Sequence, residues 1–328
     1  QPSANMTDNF SVECKLLGKM DKTYILVLCF SVFLNNVNNV SLEVLTEKTT
    51  ISSTGLSQHP TECGRVQKES LPNITNTEFG FPWFVAIYRK YGDEGWEYVC
   101  GGTLISPHIV LTAAHCVVDI VAKKKISASE FKVALGKLYK EWDREEPYAQ
   151  KINVREIAVP DFQQLLETDF KLDMGLLDLD KSIEINSKVM FACIDWEQSF
   201  APTHGVFGYL TRWNSDEKAQ TPDLETVKLT YYNKEKCKEN LPPNFLRFLA
   251  NTKFCAGSAG VPVFIRASSG SGFSVVNENG QHTVIGVLSV AMKGQNSYGL
   301  FTNITDLILL NWMTEQKKKL DTFHNDKN

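Results

Sequence analysis

Late in the chain, Arg266 to Phe273 reads R-A-S-S-G-S-G-F, three serines and two glycines set between the apolar runs GVPVFI and FSVV. Taken alone, this is a turn joining two strands. It is also a setting for a nucleophile, because a serine hydroxyl on a tight turn can attack a carbonyl once a base removes its proton. A base is available in a suggestive setting. His115 follows the strand-like run GGTLISPHIVLTAA and directly precedes Cys116, while Cys100 stands just before that run. A disulfide between those cysteines would staple the strand and turn that carry the histidine, giving the imidazole the fixed placement that proton transfer requires. A single histidine is by itself as readily a structural residue.

The elements that must position these groups are short. From about Phe81 the chain breaks into β-rich runs separated by turns: WFVAIY, GTLI, IVLTAA, FKVALG, INVREIAV and GLLDL, then GVFGYL, TVKLTYY, HTVIGVLSV and YGLFTNI. Many short strands at fairly regular spacing predict a sandwich or barrel. The ending ITDLILLNWMTEQKKKL keeps its apolar residues on one side at helical spacing and predicts a terminal helix, with the lysines of Glu315–Asp321 on its solvated end. The 328 residues are 43% hydrophobic and 22% charged, a globular composition, and a net charge of −4 leaves no basic field to recruit nucleic acid.

The N-terminal part reads differently. The apolar run Tyr24–Leu34, after a charged start at Met20, is too short to span a bilayer and fits a signal h-region. Residues 1–19 then read as leader, 20–39 as signal peptide and 40–73 as a Ser/Thr-rich linker or pro-segment. Apart from Cys14 in the leader and Cys29 in the signal run, six cysteines remain, an even number consistent with disulfides in an oxidising compartment. They include no close C-x-x-C pair, so the sequence supports neither a metal nor another cofactor. Asn39, Asn73 and Asn303 head glycosylation sequons.

The string around His115 contains T-A-A-H-C, which matches letter for letter the histidine motif of the chymotrypsin-like serine proteases. The resemblance runs from about Cys63 to Gln316 and takes in FPWFVAIY (Phe81–Tyr88) and LDMGLLDL (Leu172–Leu179), similar to the family's D-I-A-L-L-x-L. It implies an all-β fold of two packed six-stranded antiparallel barrels with a C-terminal α-helix, over residues 74–320, with 321–328 as a tail. It implies a catalytic order of His115, Asp173 and Ser269, although Asp169, Asp178 and Asp180 stand near Asp173 as competitors. By the same resemblance Ser289 supports the aspartate, and the N–H groups of Ala267 and Ser269 form the oxyanion hole. Val263, Ser289, Val290 and Ala291 line the substrate pocket. The implied disulfides are Cys100–Cys116, Cys237–Cys255 and Cys63–Cys193. YRK, ALGKLYKEW and the glycine-rich serine loop resemble those of arthropod modular serine proteases, which initiate innate-immune proteolytic cascades.

The departures from the family pattern concentrate on one loop. Ser268 stands where the family has an acid that pairs with the new N-terminal amine after zymogen cleavage. LPNITNTEFGFPW offers no Arg/Lys before an I-V-G-G start, and Asn73 precedes the nearest candidate, Ile74. Ala267 replaces a glycine of the oxyanion hole, and loss of one such donor typically costs about 10²–10³ in rate. Val263 supplies no carboxylate at the pocket base, and the cysteines that usually brace the pocket are absent together. Three functions therefore compete: a secreted endopeptidase of apolar preference with impaired activation, a non-catalytic homologue acting as a binding or cofactor module, and an unrelated secreted β domain. The motif set disfavours the last, and the loop defects favour weak or absent hydrolysis. The expected partners are a protein or peptide substrate or the proteins of a protease cascade, with no nucleic acid and, after signal removal, no membrane.

Overall fold

Alternating and continuous apolar runs become strands here because each must bury one face inside a barrel. The structure, a computed structural model, describes residues 63–66, 81–92, 95–160, 170–213, 224–258, 268–292 and 297–325. The leader, the signal run, Asn39, Asn73, Ile74, Asp169, Val263 and Ala267 lie outside the described residues, as does the linker apart from Cys63–Val66.

The first barrel uses β1 (Phe84–Lys90), β2 (Trp96–Leu104), β3 (Ile109–Thr112), β6 (Phe131–Leu135), β7 (Gln150–Ala158) and β8 (Gly175–Leu179), while β4 (Val118–Asp119) and β5 (Lys124–Lys125) form a small separate ribbon. It closes in the order β1-β2-β3-β8-β7-β6. After β9 (Cys193–Ile194) the second set follows: β10 (Phe207–Trp213), β11 (Leu224–Tyr232), β12 (Lys253–Ser258), β13 (Gly272–Val276), β14 (His282–Ala291) and β15 (Ser297–Asn303). Its order β13-β10-β11-β12-β15-β14 is closed by the β13–β14 pairing, with β9 added parallel to β14. The fold is thus two closed six-stranded antiparallel barrels, which removes the exposed edges that open sheets must manage.

Apolar side chains fill both interiors. Val85, Ile87, Leu111, Val133 and Leu177 belong to the first core. Leu210, Phe254, Phe273 and Phe301 build the second, where Phe254 and Phe301 stack with ring centroids 5.3 Å apart. Two short helices, α1 (Lys234–Asn240) and α2 (Pro243–Leu246), interrupt the second half. The terminal helix α3 covers Leu307–Asn325 and buries Leu309, Leu310, Met313 and Leu320. It continues beyond Leu320 because Asp321 and His324 find partners on the first barrel. No helix among the described residues is long and apolar enough to cross a membrane. Asn303, at the end of β15, uses its side-chain carbonyl to accept from the N–H and hydroxyl of Thr305.

Candidate active site

His115 sits in a single 3-10 turn, Ala114–Cys116, at the exit of β3. The Cys100–Cys116 disulfide ties that turn back to β2, and Thr112 Oγ1 donates to the Gly101 carbonyl beside it. Asp173 is presented just ahead of β8 by a tight turn in which its N–H donates to the Phe170 carbonyl. The two meet: His115 Nδ1 is 2.7 Å from Asp173 Oδ2, and the His115 backbone N–H donates to Oδ1 at 2.9 Å. One carboxylate therefore holds both the ring and the main chain of the histidine, leaving Nε2 as the free basic atom.

The aspartate is braced from the second barrel. A register shift between Leu288 and Val290 makes Ser289 a bulge residue in β14, and its hydroxyl donates to Asp173 Oδ2. Thr302 Oγ1, from β15, donates to the Asp173 carbonyl at 2.8 Å. Of the competing aspartates, Asp178 pairs instead with His108 and Arg155, and Asp180 accepts from Asn153 at the surface.

Ser269 enters from the loop before β13. Its carbonyl accepts from Gly101 N at 2.8 Å, Gly270 N donates to Leu288 O at 2.9 Å, and Leu288 N donates to Ser271 O at 3.0 Å. The loop is thus strapped to both β2 and β14. Ser269 and His115 line one cavity with Arg89, Tyr91, Val99 and Ile126. Among the described residues no hydrogen bond joins Ser269 Oγ to His115, and the Ser269 N–H donates to nothing. Ser268 turns inward, 1% exposed, with its hydroxyl unpartnered among the described residues; the Ser271 hydroxyl is likewise buried and unpartnered. Val290 and Ala291 are half-buried at the end of β14, beyond Ser289. Cys100 and Cys116 flank His115 but are bonded to each other, so they offer no thiolate to a metal.

One residue escaped the sequence reading. Lys253, in β12, is buried, and its ammonium donates to Ser289 Oγ at 2.7 Å and Thr302 Oγ1 at 3.2 Å, the same two hydroxyls that brace Asp173. The signal was the period of two: Lys253 shares a strand face with the buried, disulfide-bonded Cys255. Burial lowers its pKa to about 8, against the opposing pull of Asp173. Burial also works against the imidazolium of His115, but the charge and hydrogen bond of Asp173 outweigh it and raise the histidine's pKa, while Lys253 pulls it down. Burial resists the Asp173 charge too, yet His115, Lys253 and Ser289 bring its pKa down to about 2.

These directions give a test. Folded Lys253 releases its proton near pH 8 and unfolded Lys253 near 10.5, so in between the unfolded chain holds more protons and stability climbs with pH. Relative to Lys253→Met, the wild-type domain is expected to gain about 1.4 kcal/mol per pH unit across that window. The His115 ring, followed by NMR, is expected to titrate at higher pH in the variant. Parallel stability curves, or an unmoved histidine, would show that the ammonium does not act on this site.

Two closed barrels with a histidine–aspartate couple at their junction define the class of two-barrel, serine-protease-type domains. The trypsin family model matches residues 73–313, and the chain belongs to that family. It is 29% identical to a modular serine protease of Drosophila melanogaster over 76% of this chain and 42% of that protein. It is 30% identical to the inactive serine protease PAMR1 of Bos taurus over 40% of this chain and 19% of that one. With the CLIP domain-containing serine protease HP8 of Bombyx mori it shares 28% over 70% of this chain and 65% of the relative. The chain thus spans less than two thirds of the length of each of these relatives.

Proposed function

We propose that this chain is a secreted serine-protease-family domain in which His115, Asp173 and Ser269 form a hydrolytic triad of low activity. His115 Nε2 takes the Ser269 proton during attack on a peptide carbonyl, Asp173 holds the Nδ1 proton and the ring orientation, and the Ser269 N–H serves the developing oxyanion. The observation that carries the low activity is Ser268. It is buried, uncharged and without a hydrogen-bond partner among the described residues, where the family resemblance implies an acid held by an ion pair. Without that ion pair the loop loses the charged tether that the family resemblance implies, and Ala267 adds restricted backbone at the second donor. Val263, Val290 and Ala291 make the specificity pocket apolar, so the substrate is a protein or peptide with an uncharged side chain at the cleavage site. Three disulfides and the apolar run at Tyr24–Leu34 support an oxidising, extracellular setting.

A second reading is favoured by Lys253. Its charge beside Asp173 weakens His115 as a base, which suits a non-catalytic module that binds other members of a proteolytic cascade. The similarity to both modular and inactive serine proteases supports either reading.

A fluorophosphonate probe decides between them. Slow labelling of the wild-type domain, lost in Ser269→Ala, is the expected result. Ser268→Asp alone is expected to leave the rate unchanged, since a carboxylate there needs a cationic partner. A folded wild-type domain with no labelling at all would hand the case to the binding module.

A further inference from the structure

A second histidine–aspartate cluster lies where α3 meets the first barrel. His108 precedes β3, Asp178 is in β8, and His324 is in the last turn of α3. His108 Nδ1 is 2.8 Å from Asp178 Oδ1, and His324 Nε2 is 3.1 Å from the same oxygen. One ligand atom from each of the three residues lies within 4.8 Å of the other two. We propose that His108 Nδ1, Asp178 Oδ1 and His324 Nε2 bind one divalent transition-metal ion of the zinc type, independently of the hydrolytic triad.

Two imidazoles and a monodentate carboxylate are a common zinc donor set, with a water completing the tetrahedron. Bonds of about 2.0–2.1 Å place tetrahedral ligand atoms roughly 3.3 Å apart, so the two nitrogen–oxygen edges need to open by only a few tenths of an ångström. The surroundings fit as well. His108 Nε2, the ring nitrogen turned away from the cluster, is 3.1 Å from Asp321 Oδ1. That carboxylate–histidine pairing is what orients a metal-bound imidazole and fixes its tautomer. Lys317 holds the other oxygen of Asp321 at 2.5 Å, and Arg155 holds Asp178 Oδ2, which leaves Oδ1 directed at the two rings.

The metal-free arrangement is less economical. The two rings lie with centroids 3.8 Å apart and both aim a nitrogen at one oxygen. Held between two carboxylates, His108 needs a proton on each nitrogen, and His324 needs one on Nε2. A metal ion replaces the two protons pointed at Oδ1 and joins the rings through coordination rather than leaving them to share one acceptor. Asp178 is fully buried and His108 is 7% exposed, so two of the three ligands sit on rigid strand ends. Neither motif nor spacing announces the site, because 70 residues separate His108 from Asp178 and 146 separate Asp178 from His324.

The test uses the untagged domain, stripped with a chelator and dialysed. Zinc titration followed by calorimetry and elemental analysis is expected to give one ion per chain with a dissociation constant of about 1 μM or tighter, and zinc at 100-fold excess over it to raise the melting temperature through linkage. Cobalt is expected to give the visible spectrum of a tetrahedral site. Asp321→Asn is expected to weaken binding by about 10–100-fold, and His324→Gln by at least as much. His324→Gln is the primary variant because it changes the end of a helix and leaves the strands intact. Should it fail to fold, Asp321→Asn carries the comparison. Failure to bind one equivalent at about 100 μM zinc, or binding unchanged in the folded variant, would overturn the site and leave a proton-bridged clasp. Probe labelling of Ser269 plays no part in these readouts, so the two proposals fail separately.

Discussion

Asp173→Asn is expected to lower the unfolding free energy by about 3–5 kcal/mol at neutral pH, the cost of leaving a buried charge without its partner. The carboxylate accepts from the ring and main chain of His115 and from Ser289, and it is the anion facing buried Lys253. An amide in its place cannot accept at both terminal atoms, and the ammonium then has only hydroxyls. Adding Lys253→Met to the asparagine variant is therefore expected to return about 0.5–3 kcal/mol, the usual size of a coupling between contacting groups. Urea unfolding of the four proteins in this cycle measures it. The pH dependence has a definite sign. Folded Asp173 has its pKa lowered to about 2 from an ordinary 3.8, so its contribution is complete above that ordinary value and fades as pH falls toward the folded one. The gap between wild type and Asp173→Asn should narrow over that interval by about 2 kcal/mol, the part of it that the carboxylate charge supplies. An asparagine variant within about 1 kcal/mol of wild type, or a lysine substitution that makes it worse, would contradict the electrostatic account.

Gly270→Ala is the second large effect, expected at about 3 kcal/mol or more, or as failure to accumulate as folded protein. Gly270 has φ +81°, and a Cβ there would stand 2.4 Å from the Gly101 carbonyl oxygen, 2.4 Å from Thr112 Oγ1 and 3.3 Å from Cys116 Sγ. Those atoms belong to β2, the end of β3 and the stapled turn that carries His115, so relief would have to come from moving backbone. Ser271→Ala in the same loop is the control: it removes a buried hydroxyl with no partner among the described residues and is expected to be neutral or stabilising. Thermal and urea unfolding read both. A well-tolerated alanine at 270 would mean the loop is looser than its hydrogen bonds indicate. Because packing demands this glycine, its presence beside Ser269 is no mark of catalysis.

That contrast shows what could be read from the chain. The histidine motif and the strand runs were legible because they are local: T-A-A-H-C is contiguous, and a barrel strand shows itself over five or six residues. The pairing of Cys63 with Cys193 came only through the family resemblance, and the structure joins the two at a Cα–Cα distance of 5.0 Å. Lys253 was missed because a cation in an apolar strand acquires its meaning from Ser289 and Thr302, which lie 36 and 49 residues further along. Asp178 was weighed only as a rival to Asp173, since its real partners come from the entrance of β3 and from α3. The short helices α1 and α2 carry too few turns to impose a period on the sequence.

The Cys63–Cys193 bridge closes a loop of chain whose ends are 130 residues apart, and Gly64 is further laced to Phe191 and His282 by main-chain hydrogen bonds. Its consequence is one of bookkeeping for the whole molecule. Any peptide bond cut between Val66 and Phe81 would create a new pair of termini without releasing a fragment. The molecule would then behave as one piece in solution and as two only after reduction, so such a cut would leave the segment carrying Cys63 attached to the barrels.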